Sequence, residues 1–230
     1  MRAFSNAAAV MVAGLLLGSA LTGCAGGGSE AERSADQMLD EAYETMNDLE
    51  SVTILSSVRT AGSGVRSSRL TTDLVGTCTS KVSWSEGGGT LEQIRIGATD
   101  YVRPDRAYLK KWSGRDTSAN GEQKRWAKAP VSDAKPEDGL VDCTWPFSAF
   151  GTPVKGKPAE VAGRRAMRLE VTEAKATYTF YVATEGKPYL LQVVYKGDDF
   201  RSTTTFGAFD EPLGIQAPPA KDTLDTADIG

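Results

Sequence analysis

The sequence predicts an α+β fold, in which a large antiparallel β-sheet curls and one N-terminal amphipathic helix covers its concave face. Three observations carry this. Residues 31–49 repeat apolar side chains at helical spacing, the apolar period then drops to two from Val52 onward, and Gly-, Asp- and Pro-containing breaks recur between the runs. About ten short strands follow from that pattern, and a sheet of such size twists and tends to curl or close.

Ahead of this domain, residues 1–23 read as a lipoprotein signal peptide. Arg2 gives a positive start, and residues 7–21 form an apolar run. That run suits a signal-peptide core but falls short of the ~20 apolar residues of a membrane span. It closes in Leu21-Thr22-Gly23-Cys24, which resembles the lipobox of bacterial lipoprotein precursors. Gly23 leaves a peptidase room at the bond before Cys24, and the Cys24 thiol is the expected site of diacylglyceryl attachment. Each buried methylene is worth ~0.8 kcal/mol, so two acyl chains hold where one lets go. A plain secretory signal with a chance cysteine is the alternative. The expected boundaries are then a lipidated Cys and Gly-rich spacer over 24–30, a single domain over 31–219, and a polar, frayed tail over 220–230. The expected location is extracytoplasmic, with the chain held by lipid to the outer face of the cell membrane.

Within the helix, Ala35, Met38, Leu39, Ala42, Met46 and Leu49 form one apolar stripe, and Glu32, Asp36, Asp40, Glu41, Glu44 and Asp48 lie on the other face. The strand pattern then runs through Val52, Ile54 and Val58, through Leu70, Thr72 and Leu74, and through Val82 and Trp84. Gly87-Gly88-Gly89 marks a turn, since no Gly-Lys-Ser/Thr follows it to make a phosphate loop. Ile94 and Ile96 share a face in the next run, and Tyr101-Val102 and Tyr108-Leu109 read as two shorter strands. Residues 129–151 are irregular, with three prolines and an apolar patch of Trp145, Phe147 and Phe150. Strands resume at Met167, Leu169 and Val171, at Tyr178, Phe180 and Val182, at Leu191, Val193 and Tyr195, and finally around Phe200 and Phe206. From Glu211 the chain is too rich in proline to continue a sheet interior.

Composition excludes several function classes. The chain holds no histidine, which removes Ser-His and Cys-His nucleophilic catalysis and His-ligated metals. No catalytic motif stands out, so the expected function is not enzymatic and calls for no cofactor or metal. Cleavage before Cys24 leaves 25 basic against 30 acidic residues, which gives no reason to expect nucleic acid. With Cys24 taken by lipid, Cys78 and Cys143 remain as an even pair in an oxidising compartment. They form either a disulfide or two buried thiols. Cys78 shares strand register with Val82 and Trp84, so a bond would staple the irregular segment onto the apolar face as a second cover, a lid pinned at one point. Between Tyr101 and Lys128, eight basic residues interleave with Tyr101, Tyr108, Trp112 and Trp126. This stretch is either a solvated edge or a surface for anionic head groups.

Four features together resemble a known family: the lipobox followed by an acidic amphipathic helix, the strand succession, Val161-Ala162-Gly163-Arg164-Arg165-Ala166 entering a strand, and Phe206-Gly207-Ala208-Phe209-Asp210-Glu211-Pro212 running on to Pro218-Pro219. They are similar to the actinobacterial cell-wall lipoproteins that include LppX and LprG and, more distantly, to the lipoprotein carrier LolA. The resemblance implies a half-barrel around an apolar cavity and a role in binding or carrying lipid or glycolipid at the cell envelope. Related half-barrels in envelope-stress regulators imply the alternative, a module that binds an envelope protein. Candidate cavity walls are Val82, Trp84, Ile94, Ile96, Phe180, Val182, Leu191 and Val193 from the sheet, with Met38, Leu39, Ala42 and Met46 from the helix. The same residues would equally make a filled core.

Overall fold

Helix α1 (Ala35–Asn47) starts where local chemistry stops the backbone N–H groups going unpaired. The Ser34 hydroxyl accepts from the Gln37 backbone N–H at 3.1 Å, and the Gln37 side chain accepts in return from Ser34 N–H at 2.8 Å. Ala35, Met38, Leu39, Ala42, Tyr43 and Met46 are its buried face, and the acidic residues lie on the other side. Burial without a counter-charge pushes the Tyr43 phenol up to about 12. The computed structural model describes residues 33–114, 125–135 and 138–228, so the expectations for the signal peptide, Cys24 and the spacer fall outside the described residues.

Twelve strands form one open, curled sheet in two meanders. The first runs β1 (Val52–Thr60), β2 (Gly64–Thr72), β3 (Thr77–Trp84), β4 (Gly89–Ile96), β5 (Thr99–Pro104) and β6 (Trp126–Pro130). The second runs β7 (Val154–Val161), β8 (Arg164–Glu173), β9 (Ala176–Ala183), β10 (Leu190–Lys196) and β11 (Phe200–Gly207). They join where β1 pairs antiparallel with β11, from Thr53 opposite Gly207 to Thr60 opposite Phe200. The β7 edge carries Lys155, Lys157 and Pro158, with a register shift between Lys155 and Pro158. These features discourage pairing with another chain.

Two expectations are corrected here. Tyr108 and Leu109 lie in a second helix, α2 (Arg106–Ser113), not in a strand. Pro104 ends β5, the Asp105 carboxylate caps the helix by accepting from Tyr108 N–H at 2.7 Å, and Gly114 closes it in the left-handed region. These start and stop signals outweigh the local apolar pair. The triple-glycine turn also has a second purpose, because a Cβ on Gly89 would run into the Tyr108 backbone and the Asp105 carboxylate. The described part of the tail, to residue 228, is not frayed either. Thr223–Asp225 make a parallel twelfth strand, β12, against Trp126, Ala127 and Lys128, and Lys128 Nζ meets Asp225 Oδ2 at 2.7 Å. The edge of β6 offered unpaired backbone groups, and the tail uses them.

Directly paired antiparallel residues share a face, so registers decide which side chains meet. Ile54 opposes Leu70 and Phe206, while Phe180 opposes Leu169 and Val193. With α1 these residues make the main core, which includes Met38, Leu39, Ala42, Met46, Val52, Ile54, Phe180, Val182 and Leu190. On the outer face, among the described residues, a small satellite cluster forms from Val161, Ala166, Ala183 and Leu191.

Candidate functional site

The irregular segment between β6 and β7 crosses the covered face, and it is held at several points. Cys143 bonds Cys78 on β3, with Cα atoms 5.4 Å apart, and its carbonyl accepts from the Thr72 hydroxyl. Buried Gln93 on β4 accepts from Val141 N–H at 2.9 Å and donates to the Val141 carbonyl at 3.2 Å. The Gln93 amide also donates to Asp100 Oδ1 at 2.9 Å. Asp100, 2% exposed, takes both arms of the Arg95 guanidinium at 2.8 Å. That pairing holds Arg95 above the ordinary arginine value, although burial opposes it. Asn47, at the end of α1, donates to the Phe147 carbonyl at 3.1 Å. The expected lid pinned at one point is therefore corrected to a strap fastened along its length, because strand side chains satisfy its backbone groups.

Close to the disulfide, the β2–β3 turn is set by Asp73, whose carboxylate accepts from Val75, Gly76 and Thr77 N–H at 2.8–2.9 Å. Partial burial alone would raise its carboxyl, but these backbone bonds outweigh it and hold the group below the usual carboxylate range.

Between strap and sheet an aromatic recess of about 230 Å³ remains, partly open to solvent. Phe150 stands edge-on to Tyr178 at 4.6 Å and to Phe180 at 5.6 Å. Trp145 and Phe147 pack edge-on against Phe206 at 6.2 and 5.7 Å. Val193 and Thr204 complete the wall. The volume exceeds an engineered 150 Å³ cavity that admits benzene but falls below the ~300 Å³ where drug-sized sites begin. It suits one apolar chain or ring and is too small for a lipid of several chains.

The sequence-derived wall residues divide into four groups. Met38, Leu39, Ala42, Met46 and Val182 are fully buried in the core beneath the recess. Phe180 and Val193 line it. Val82 is buried on the same face, and Trp84 stands further along that face against Tyr108 and Trp112, with ring centres 5.4 and 5.7 Å away. Ile94, Ile96 and Leu191 belong to the outer face, which corrects the expectation. The β3–β4 register sets Ile94 opposite Thr79 and Ile96 opposite Thr77, so Leu91 and Gln93 are the residues that face with Val82 and Ser80. A register shift between Leu190 and Gln192 turns Leu190 inward and Leu191 outward into the satellite cluster. Sequence reasoning missed Gln93, Tyr43, Thr204 and Leu190. A polar residue within an alternating strand was the one signal for Gln93.

A second hollow of about 490 Å³ lies on the covered face at the far end of β1–β3, around Arg66, Trp84, Lys111 and Trp112. Trp112 is 52% exposed, and its indole N–H donates to the Gly88 carbonyl at 3.3 Å. Two cations of the basic stretch are paired: Arg103 lies over the Trp126 ring at 4.4 Å and binds Glu92, and Lys128 binds Asp225. Arg115 and Lys124 fall outside the described residues. Among the described residues no group of His, Cys, Asp and Glu could hold a metal ion, and no helix is long and apolar enough to cross a membrane.

An open, curled sheet with a helix and a strap over one face and an aromatic recess beneath them defines an α+β scaffold of the half-barrel class. Two solved structures share that fold. LprF from Mycobacterium bovis matches with a TM-score of 0.56 at 12% identity, over 84% of this chain and 100% of that one. The lipoprotein LppX from Mycobacterium tuberculosis gives 0.50 at 11% identity, over 78% and 98%. A LolA-superfamily protein from Nitrosomonas europaea is looser, at 0.32 and 8% identity over 82% and 96%, too loose to carry an argument. No family model matches the chain, and no curated protein matches it. The resemblance read from the sequence is thus borne out at the level of fold, and fold by itself does not fix function.

Proposed function

We propose that this chain is an envelope lipoprotein, anchored through Cys24, whose covered face binds or carries a lipid or other apolar ligand. The observation that supports this most is the recess itself. Seven aromatic rings, Tyr43, Trp145, Phe147, Phe150, Tyr178, Phe180 and Phe206, stand around a space that a well-packed core would have closed. The strap that forms one wall is fixed by a disulfide and by buried polar bonds, so the space is built and held. The likeness to LprF and LppX and the lipobox ending at Cys24 support the envelope setting.

Filling the recess tests the reading. Thr204 lines it from β11 and is half-buried, so Thr204→Trp places an indole in the space with little else disturbed. Expected is a loss of about tenfold or more in affinity for an apolar fluorescent probe such as a short-chain fatty-acid analogue, as the removal of one chain-sized subsite implies. Uptake that is unchanged in a variant with an unaltered melting midpoint would place the ligand elsewhere or nowhere. In the same preparation, mass spectrometry of the N-terminal peptide should find a diacylglyceryl group on Cys24. An unmodified Cys24 there would contradict the anchor.

A further inference from the structure

Arg66 sits on the covered face, where β2 register sets it opposite Val58 and Trp84. Its guanidinium lies 5.9 Å from the centre of the Trp84 ring. Among the described residues it has no ion pair and no hydrogen bond to a carboxylate, whereas Arg95 on the same sheet face is paired with Asp100 at 2.8 Å. Burial pulls its pKa below the ordinary arginine value, and no carboxylate among the described residues pairs with it to offset that cost. An uncompensated, half-buried charge destabilises a fold, so its retention within a roomy hollow is a feature to be explained. Lys111 adds a second cation to the hollow, and Trp84 and Trp112 contribute indole faces 5.7 Å apart. One carboxylate, Glu86, also lines it, but its side chain lies over Gly64 and does not pair with Arg66.

The hollow and the recess share one face of the sheet. Thr204 at the recess opposes Ser56, Ser56 opposes Ser68, and Arg66 is two residues beyond Ser68. Two strand spacings of ~4.8 Å and two residues of ~3.4 Å put Arg66 roughly 12 Å from Thr204. Small hydroxyl side chains floor the path between them.

We propose that Arg66, framed by Trp84 and Trp112, receives the anionic, phosphate-class head group of an amphiphile whose apolar tail enters the aromatic recess. This rests on the lipid-binding reading and specifies its ligand class. A guanidinium fork matches phosphate in geometry and charge, while the indoles accept the glycerol or sugar portion beside it.

The test uses the full chain in a sugar-headgroup detergent, titrated with the single-chain octanoyl lysophosphatidate, monooctanoylglycerol and inorganic phosphate. The two amphiphiles share their tail and differ by the phosphate. The wild type should bind the lysophosphatidate about tenfold or more tighter than the monoglyceride. Arg66→Gln should erase that preference while leaving monoglyceride affinity within about twofold, and Arg66→Lys should keep part of it. The melting midpoint of Arg66→Gln should stay level or rise, since an unpaired charge has been removed. A preference that survives Arg66→Gln, or no preference in the wild type, overturns the head-group site while leaving the lipid-binding reading intact. Inorganic phosphate binding as tightly as the lysophosphatidate assigns the site to free phosphate and overturns the amphiphile. Failure of both amphiphiles to bind removes the lipid-binding reading, and this inference with it.

Discussion

Replacing Cys78 and Cys143 together with serine lowers the unfolding free energy by about 4 kcal/mol, the chain-entropy value for a loop of this length. The cross-link joins residues 65 apart in sequence, and both are essentially inaccessible to solvent. The effect reaches beyond the unfolded chain. Cys143 lies between Val141, which Gln93 holds, and Phe147, which Asn47 holds, so the strap loses its central fastening and keeps its ends. Guanidinium unfolding of the double variant measures the loss, and apolar-probe affinity should fall as the wall formed by Trp145 and Phe147 loosens. A cost below about 1 kcal/mol would mean that the polar bonds alone fix the strap.

Phe180→Ala carries the second large effect. Phe180 is fully buried, faces Tyr43 edge-on at 6.2 Å and Phe150 at 5.6 Å, and opposes Leu169 and Val193 across its two neighbouring strands. Truncating a buried phenylalanine costs about 3–5 kcal/mol, from lost transfer energy and the cavity left behind. The space opened adjoins the recess, so a longer apolar probe should recover part of the loss on binding. Ile96→Ala is the matched control. Its side chain is on the outer face and 37% exposed, so its cost should stay within about 0.5 kcal/mol. A cost for Ile96→Ala comparable to that of Phe180→Ala would contradict the facing derived from the β3–β4 register.

Much of the fold was legible because its signals are local. The stripe from Ala35 to Leu49 and the alternation through Ile54, Leu70, Leu169 and Phe180 each follow from one element's own period. What escaped depended on relations between elements. Ile94 alternates with its neighbours just as Leu91 does, and only the hairpin register decides which set turns inward. Leu191 moved to the outer face because a register shift intervenes, and a single sequence carries no mark of it. Tyr108-Leu109 looked extended, but Asp105 and Gly114 were readable as helix caps and should have outweighed the pair. β12 gave too little to read, since Thr223–Asp225 is three residues long and becomes a strand only because β6 leaves an edge open.

The candidate site divides in the same way. Cys78 could be aligned with Val82 and Trp84 from spacing alone, so the staple and its direction were accessible. The recess was not, because whether apolar residues fill a space or surround it depends on side-chain volumes in three dimensions. Arg66 gave no signal either. Its interest lies in having no ion-pair partner among the described residues, and only the assembled face reveals that.

Whether the covered face holds an apolar or amphipathic ligand is tested most directly by native mass spectrometry of the full chain purified gently from its own organism. The expected spectrum carries an extra, non-covalent mass that organic solvent releases as an amphiphile, with one acyl chain or ring sized to a recess of about 230 Å³. A clean mass of the covalent chain alone, with no uptake when total lipid extract is added back, would contradict that ligand and favour a face that binds protein.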